Sequence, residues 1–458
     1  MNYKNTFLLT VAAFLLSGCG IYTSYKPATD VPDNLYREEV AETDTSGIGA
    51  LAWQELFTDP QLQALIEEGL ENNTDLRTAH LRVQEAEAVL MTSRLAYLPA
   101  LSLTPQGTIS SFDGSKASKS YQLPVSASWE IDIFGKLTNA KRSAKAALEE
   151  TKSYRQAVRT QLISTIANTY YTLLLLDKQL AISERTAALW QENVRAMYAM
   201  KKAGLSNEAA VSQAEANCLS VEASLLTLRQ QINEAENSLS TVLGKTPQAI
   251  ERGTLDNQAF PQTLTTGIPL DLLKNRPDVQ QAEYALAQAF YGVNKARSSF
   301  YPNITLSGSV GWTNSGGGII SNPGALLLQA IGSLTQPLFN KGANIANLKI
   351  AKAQQEEATL AFHQSLLNAG SEVNNALKQW QTARARITLG EKQVASLQTA
   401  VKSTQLLMDH GTTTYLEVLT AQQSLLQARL SLEADRFDEI QGVISLYHAV
   451  GGGATEDT

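Results

Sequence analysis

An internal duplication is the feature of this 458-residue chain that most limits what it can fold into. Residues of the first half recur in the second at a spacing of 203, then 205, then 207, and the order of features is kept. The matched pairs are Asp75/Asp278, Arg94/Arg297, Pro99/Pro302, Phe134/Phe339, Lys136/Lys341, Gly204/Gly411, Val211/Val418, Ala214/Ala421, Leu219/Leu426, Ser238/Ser445, Leu239/Leu446 and Gly244/Gly451. Such a spacing is expected of a duplicated unit that has gained short loop insertions. The chain is therefore predicted to contain two copies of one structural unit.

Each copy is predicted to begin with a helix and to continue with a β-hairpin. The helices cover about residues 60–96 and 269–298, and both end near a proline. The residues that follow change to a two-residue alternation of apolar and polar side chains, which is typical of strands. The alternation is clearest at Tyr121, Leu123, Val125, Ala127, Trp129, Ile131 and Ile133. We expect hairpins at 101–133 and 303–339, with the last strand running from Leu326 to Phe339.

The hairpins have the length and pattern of membrane-spanning strands, which need roughly 9 to 11 residues per crossing. Tyr121, Trp129 and Trp312 lie on the apolar sides, where they fit an interfacial aromatic belt. The edge of a soluble β-sandwich has the same alternation and stays open as the alternative. In the membrane interpretation, four strands cannot close a barrel, so identical chains must associate, and two or three copies supply about eight or twelve strands.

After each hairpin the composition changes to that of long helices. No proline occurs between Pro124 and Pro247 or after Pro337, and a single glycine turn interrupts each stretch, at Gly204 and at Gly411. Apolar residues recur at heptad spacing in copy two, with mostly small residues three positions later. They are Leu366, Val373, Trp380, Ile387, Val394, Val401 and Met408, followed by Ala369, Ala376, Ala383, Gly390 and Leu397. A spectrin-like bundle also explains the heptads but leaves the hairpins unexplained.

The N-terminus has the form of an export signal that ends at a lipidation site. The apolar run from Phe7 to Leu16 is too short to span a membrane, and the small residues after it lead to Cys19. An ordinary cleaved signal with an incidental cysteine is the alternative. We divide the chain into a signal peptide (1–18), a lipidated segment (19–59), the first repeat (60–246), a linker (247–268), the second repeat (269–453) and a tail (454–458).

Composition argues against several other functions. The net charge of -7 gives no basic face for nucleic acid. The four histidines are dispersed, no metal-ligand spacing occurs, and no nucleophile elbow, phosphate loop or carboxylate pair is present. We therefore predict no enzymatic activity, no cofactor and no bound metal. Cys218, Met197, Met200 and Met408 are expected to be packed helix residues, although thioethers can bind soft metals.

Several motifs together resemble one family of channels. They are Trp129-Glu130-Ile131-Asp132-Ile133-Phe134-Gly135-Lys136, Arg276-Pro277-Asp278-Val279, Ser299-Phe300-Tyr301-Pro302 and Leu446-Tyr447-His448-Ala449-Val450-Gly451-Gly452-Gly453. In combination they resemble the outer membrane factor family, the TolC-like channels, and most of all its lipoprotein branch in RND-type multidrug efflux systems. The resemblance implies a mainly α fold with a membrane β-barrel: a homotrimer with a twelve-stranded barrel, a twelve-helix periplasmic tunnel and an equatorial belt formed by the N-terminal segment, the linker and the C-terminus.

The resemblance also implies a function and partners. An inner-membrane RND transporter would pass substrate through a periplasmic adaptor protein into the tunnel, and the lipid-anchored subunit in the outer membrane would lead it outside. The turns at Gly204 and Gly411 would form the periplasmic gate and adaptor contact, with Tyr415 and Leu416 following the family pattern. The sequence departs at Thr420, where many relatives carry an aspartate, and Glu417 is the nearest acid.

Other functions stay open at this point. A coiled-coil lipoprotein that tethers the membrane to the cell wall would share the anchor and the heptads. Within the channel interpretation, multidrug efflux, metal efflux and type I secretion remain possible, because an exit duct carries little information about its substrate.

Overall fold

The structure is a computed structural model that describes residues 23–27, 35, 47–258, 260, 275–314 and 325–453. The candidate lipidation site at Cys19 and the turn between the strands of copy two lie outside these residues. A short turn of helix, Trp53–Leu56, precedes the first repeat.

Both copies run in the same order from helix to antiparallel strands to two long helices, which agrees with the predicted duplication. Copy one has helices α1 (Pro60–Asn72) and α2 (Thr74–Leu95), strands β1 (Ala100–Leu103), β2 (Gln106–Ser110) and β3 (Ser118–Ile131), and helices α3 (Lys136–Lys202) and α4 (Glu208–Val242). Copy two has helix α5 (Pro277–Ser298), strands β4 (Asn303–Asn314) and β5 (Ala325–Thr335), and helices α6 (Ala343–Asp409) and α7 (Tyr415–Ala449). The long helices α3 and α6 both contain 67 residues, and α4 and α7 both contain 35.

The described residues divide into two units, each with its own contacts. The strand unit consists of Met1–Thr29, Leu81–Ser153 and Gln280–Gln364, and the helix unit consists of Asp30–His80, Tyr154–Val279 and Ser365–Thr458. In the strand unit, β1 and β2 both pair with β3, β3 pairs with β4, and β4 pairs with β5, all antiparallel. Within the described residues these strands form one sheet.

The predicted helix over 60–96 is broken at Asn73, which corrects the sequence interpretation. Its side-chain oxygen accepts a hydrogen bond from the backbone N–H of Leu76 at 3.0 Å, and its amide donates to the carbonyl of Val242 at 2.8 Å. The first bond caps α2, and the second joins it to the end of α4. The contact with Val242 spans 169 residues, so the local pattern gave no sign of the break.

Three strand boundaries also differ from the prediction. The first strand is interrupted between Leu103 and Gln106, because Pro105 has no N–H to donate to the ladder. The third strand ends at Ile131, since the Asp132 carboxylate caps α3 by accepting from the N–H groups of Leu137 at 2.9 Å and Thr138 at 2.7 Å. The last strand ends at Thr335 instead of Phe339.

The heptad seam of the long helices is confirmed. Leu366, Ala369, Val373, Ala376 and Ala383 are buried, and the later seam residues up to Met408 are half-buried while their neighbours are exposed. Small residues allow close approach, because a Cβ on Gly442 would lie 2.9 Å from the backbone of Trp380. The seam therefore packs α6 against α7 at short range.

Candidate functional site

The strands form a sheet whose two faces differ in polarity. The register of paired antiparallel strands determines which side chains share a face of the sheet. Here Leu123 pairs with Trp312, Val125 with Val310, and Trp129 with Leu306. One face is almost wholly apolar and the other carries mainly hydroxyl and amide groups. The apolar face contains Leu101, Leu103, Ile109, Tyr121, Leu123, Val125, Ala127, Trp129, Ile131, Ile304, Leu306, Val310, Trp312, Leu326, Leu328, Ala330 and Leu334.

The predicted aromatic residues lie near opposite ends of the apolar face. Trp129 is 41% exposed and Trp312 is 47% exposed. Eight residues separate Tyr121 from Trp129 along β3, about 27 Å at roughly 3.4 Å per residue. The indole N–H of Trp129 donates to the carbonyl of Tyr97 at 2.9 Å, which fixes the ring at the helix end of the strand. An apolar band of about 25 Å between aromatic girdles is the pattern of a lipid-facing sheet.

The polar face of the sheet is rich in hydroxyl groups and almost uncharged. Ser126, Ser128, Thr305, Ser307 and Ser309 follow one another on β3 and β4. On the described strands, Glu130 is the one acid on this face, and Lys136 donates to its carboxylate at 2.8 Å. Such a surface hydrogen-bonds water without attracting ions of either sign strongly.

The two predicted turns have the same geometry at the far ends of the long helices. Gly204 and Gly411 adopt φ of 73° and 69°, a left-handed conformation that L side chains rarely adopt. In both, the residue after the glycine donates its N–H to a carbonyl five residues back along the chain, from Leu205 to Met200 and from Thr412 to Leu407, at 2.9 Å each. This is a Schellman closure, so both glycines are required by backbone geometry.

A small apolar cluster fills the space between the two turns. Met197, Val211 and Ala214 are fully buried, and the half-buried ring of Tyr415 packs against them. Burial raises the pKa of the Tyr415 hydroxyl, with a smaller effect from Cys218. The start of α7 is therefore held against the tip of copy one, and Met197 is a packing residue as predicted.

The remaining predicted tip residues have distinct surroundings. Leu416 is 62% exposed and has no role in the apolar cluster. The Thr413 hydroxyl donates to the Glu417 carboxylate. Glu417 lies in the first turn of α7, where its negative charge interacts favourably with the positive end of the helix dipole. The Thr420 hydroxyl donates to the carbonyl of Leu416 at 2.8 Å. Leu416 is thus one of the exposed large apolar side chains at this tip, together with Leu406 and Leu407, that are left for another molecule or another copy.

A buried arginine from the Arg276-Pro277-Asp278-Val279 motif organises the start of copy two. The sequence alone predicted no role for it. The Arg276 side chain is 4% exposed and donates to the carboxylates of Asp278 at 2.5 Å and Glu372 at 2.7 Å, and to the carbonyl of Ala449 at 3.0 Å. Burial raises the pKa of Asp278, but the guanidinium outweighs this and holds it below its usual range. Burial and the same guanidinium lower the pKa of His448. A cavity of about 680 Å³ adjoins these groups.

The linker between copies is also anchored by polar contacts that the sequence interpretation missed. Arg252 donates to Asp177 at 2.6 and 3.0 Å and to Glu236 at 2.5 Å, so it joins the linker to α3 and α4. The backbone N–H of Gly253, in the linker, donates to the Tyr170 hydroxyl at 2.9 Å, and that hydroxyl donates to Asp59 at 2.7 Å. These pairs join residues up to 111 positions apart.

In the described ranges no helix is long and apolar enough to cross a membrane. In the same residues no group of three or more His, Cys, Asp or Glu side chains is placed to hold a metal ion. Cys218 is buried between α3 and α4, as expected of a packed helix residue.

A family model described as outer membrane efflux protein matches the chain twice, over residues 65–245 and 268–452. The chain belongs to the outer membrane efflux protein family. The two matches fall on the two copies, and the membership confirms the resemblance to TolC-like channels. As a member of this family, the protein is an outer-membrane efflux channel protein, so the channel interpretation is favoured over the cell-wall tether.

Individual members of the family are similar over nearly the whole chain. The cation efflux system protein CusC of Escherichia coli K12 is 30% identical over 446 residues, which cover 96% of this chain and 98% of CusC. The probable outer membrane lipoprotein SilC of Salmonella typhimurium is 28% identical, covering 99% and 100%. The solvent efflux pump outer membrane protein SrpC of Pseudomonas putida is also 28% identical, covering 99% of both chains.

Solved structures show the same fold. A crystal structure of CusC aligns with a TM-score of 0.85 at 29% identity and covers 94% of this chain and 100% of that one. The open-state MtrE outer membrane channel of Neisseria gonorrhoeae aligns with a TM-score of 0.85 at 28% identity, covering 94% and 98%. The fold is thus that of a TolC-like outer-membrane channel.

Proposed function

We propose that three copies of this chain form the outer-membrane exit duct of a tripartite efflux pump. The observation that carries the proposal is the sheet, with one apolar face, one hydroxyl-rich face, and pairing on only one side of β1, β2 and β5 within the described residues. Unpaired edges are not stable in lipid, so neighbouring copies must pair with them. Counting β1 and β2 as one interrupted strand, three copies supply about twelve, an allowed barrel size.

The partners of the proposed duct follow from its place in a pump. A periplasmic adaptor protein would bind at the turns around Gly204 and Gly411, and an inner-membrane RND transporter would supply the energy. The subunit itself is passive in this proposal, and neither catalysis nor a cofactor enters into transport. The exposed Leu416 would line the periplasmic gate, and the hydroxyl-rich face of the sheet would line the exit.

Purified in neutral detergent, the protein is expected to be a homotrimer by light scattering and to conduct ions in planar bilayers. The physical reason is that one chain's strands cannot close. A monomer that conducts ions, or a trimer that does not, would contradict the proposal.

The lipid anchor at Cys19 remains a proposal. The small residues before Cys19 support it, as does the similarity to SilC, named as a probable outer membrane lipoprotein. Mass spectrometry of the mature N-terminus is expected to find acyl groups on Cys19. Cys19→Ser should remove them while the trimer still inserts, because a closed barrel holds far more strongly than acyl chains. An unmodified wild-type Cys19 would sink this proposal.

Cation export is a second candidate for the cargo. It is supported by the 30% identity to CusC, a cation efflux protein, whereas SrpC, a solvent efflux protein, is 28% identical. Growth of a deletion strain separates the two. Sensitivity to copper or silver salts alone would favour cations, and sensitivity to toluene alone would favour apolar molecules.

A further inference from the structure

Basic side chains outnumber acidic ones where the strands of the sheet meet the helices. Residues 91–99, 130–145, 291–302 and 336–349 contain nine lysines and arginines and two acids, in a chain whose net charge is -7. All nine basic residues lie within 14 residues of a strand end along the chain. We call these nine the basic collar: Arg94, Lys136, Lys141, Arg142, Lys145, Lys295, Arg297, Lys341 and Lys349.

The two acids of these segments do not neutralise the collar. Glu130 pairs with Lys136 at 2.8 Å, and Asp132 is occupied in capping α3. Within the residues that the structure describes, no carboxylate forms an ion pair with any of the other eight collar side chains. Seven of those eight are exposed, and one nitrogen of Arg142 is buried without a hydrogen-bond partner. Unpaired charge of one sign persists at this level of the strand unit.

Tyr97 links the collar to the apolar face of the sheet. The Trp129 indole, on that face, donates to the carbonyl of Tyr97 at 2.9 Å. The Lys141 ammonium lies 5.5 Å from the centre of the Tyr97 ring, within the range of a cation–π contact. The Tyr97 hydroxyl is hydrogen-bonded to Thr138 at 3.0 Å. Tryptophan and tyrosine with an adjacent lysine are the side chains that favour the boundary between lipid tails and headgroups.

The N-terminal segment reaches the same level. The Asn294 amide donates to the carbonyl of Thr23 at 3.3 Å, and Tyr25 packs edge-on against Phe290 at 5.8 Å. Cys19 precedes Thr23 by four residues, which span at most about 14 Å. Acyl chains on Cys19 would therefore enter the bilayer close to the collar.

We propose that the basic collar binds the phosphate headgroups of anionic phospholipids in the periplasmic leaflet of the outer membrane. The inference rests on the outer-membrane placement and on the proposed trimer, in which three collars surround the base of the barrel. An anionic surface attracts lysine and arginine side chains that lie within about one Debye length of it. Because salt shortens that length, binding weakens as the salt concentration rises. The collar's cation–π contact with Tyr97, which is hydrogen-bonded to Trp129, favours lipid over peptidoglycan, the other anionic material of the periplasm.

The test compares two triple variants of the full-length trimer. Lys141→Gln/Lys145→Gln/Arg297→Gln removes three collar charges per chain. Lys378→Gln/Lys392→Gln/Lys402→Gln removes the same number from exposed positions of α6 in the helix unit. Native mass spectrometry measures how much phosphatidylglycerol the trimer retains from an equal mixture with phosphatidylcholine in neutral detergent.

The wild type and the α6 variant should prefer phosphatidylglycerol, and raising salt should weaken that preference. The collar variant should lose about tenfold in that preference, given the attraction of each basic side chain for an anionic surface. Lys141→Arg/Lys145→Arg/Arg297→Lys keeps the charge and should keep the preference, which separates charge from folding.

Three results would overturn the proposal. The wild type could show no preference for phosphatidylglycerol, or both glutamine variants could lose that preference equally. The collar variant could also keep its lipid preference but lose binding to peptidoglycan sacculi. A wild-type trimer that conducts ions but shows no lipid preference would reject the collar and leave the duct intact. A trimer that prefers the anionic lipid but conducts no ions would reject the duct and leave the collar intact.

Discussion

Arg276→Met is expected to lower the free energy of unfolding by about 3 kcal/mol. The guanidinium is 4% exposed and satisfies two carboxylates and the buried carbonyl of Ala449, and removing one partner of a buried ion pair costs roughly 3 to 5 kcal/mol. The estimate lies at the low end because Asp278 and Glu372 are about half exposed and regain water. Urea unfolding at one fixed protein concentration measures the loss, since trimer stability depends on concentration.

Arg229→Met provides a matched control for this measurement. Arg229 pairs with Glu184 at 3.0 Å, but both side chains are about half exposed. Such surface pairs contribute about 1 kcal/mol or less. Equal losses in the two arginine variants would show that the contacts of Arg276 are no more important than a surface ion pair.

Tyr415→Ala/Leu416→Ala is expected to open the resting channel. Tyr415 holds the start of α7 against Met197, Val211 and Ala214, and the exposed Leu416 is available for contact across the proposed gate. Truncating both removes about 2 to 3 kcal/mol of apolar contact per chain. Over three chains this exceeds the roughly 5.5 kcal/mol that moves a two-state equilibrium from 1:99 to 99:1. Bilayer conductance and the sensitivity of expressing cells to vancomycin should both rise several-fold.

Leu226→Ala is the control for the gate variant. Leu226 is 67% exposed, close to the exposure of Leu416, but lies on α4 well away from both turns. It should leave conductance and vancomycin sensitivity unchanged. If the Tyr415/Leu416 variant behaves in the same way at normal trimer levels, the gate lies elsewhere. Within the described part of the chain the Tyr415 hydroxyl has no hydrogen-bond partner, and we predict that it bonds to a neighbouring hairpin in the trimer.

The features that the sequence determined by itself are those set by neighbouring residues. The two-residue alternation defined the faces of β3 and β4, the heptads defined the α6 seam, and isolated glycines marked both turns. Each depends on the periodicity of one element or on the conformation of one residue. The duplication added a check, because a feature in one copy required its counterpart in the other.

Tertiary structure decided everything that depends on residues far apart in the chain. The break at Asn73 requires the carbonyl of Val242, and the role of Arg276 requires Glu372 and Ala449. The packing of Tyr415 requires Met197 from the other copy, and the collar combines the ends of two helices with the starts of two others. The sequence lists these side chains but not the distances between them. Charge pairing, burial and apolar contact all act over a few ångströms of space, so only the folded chain shows which partners meet.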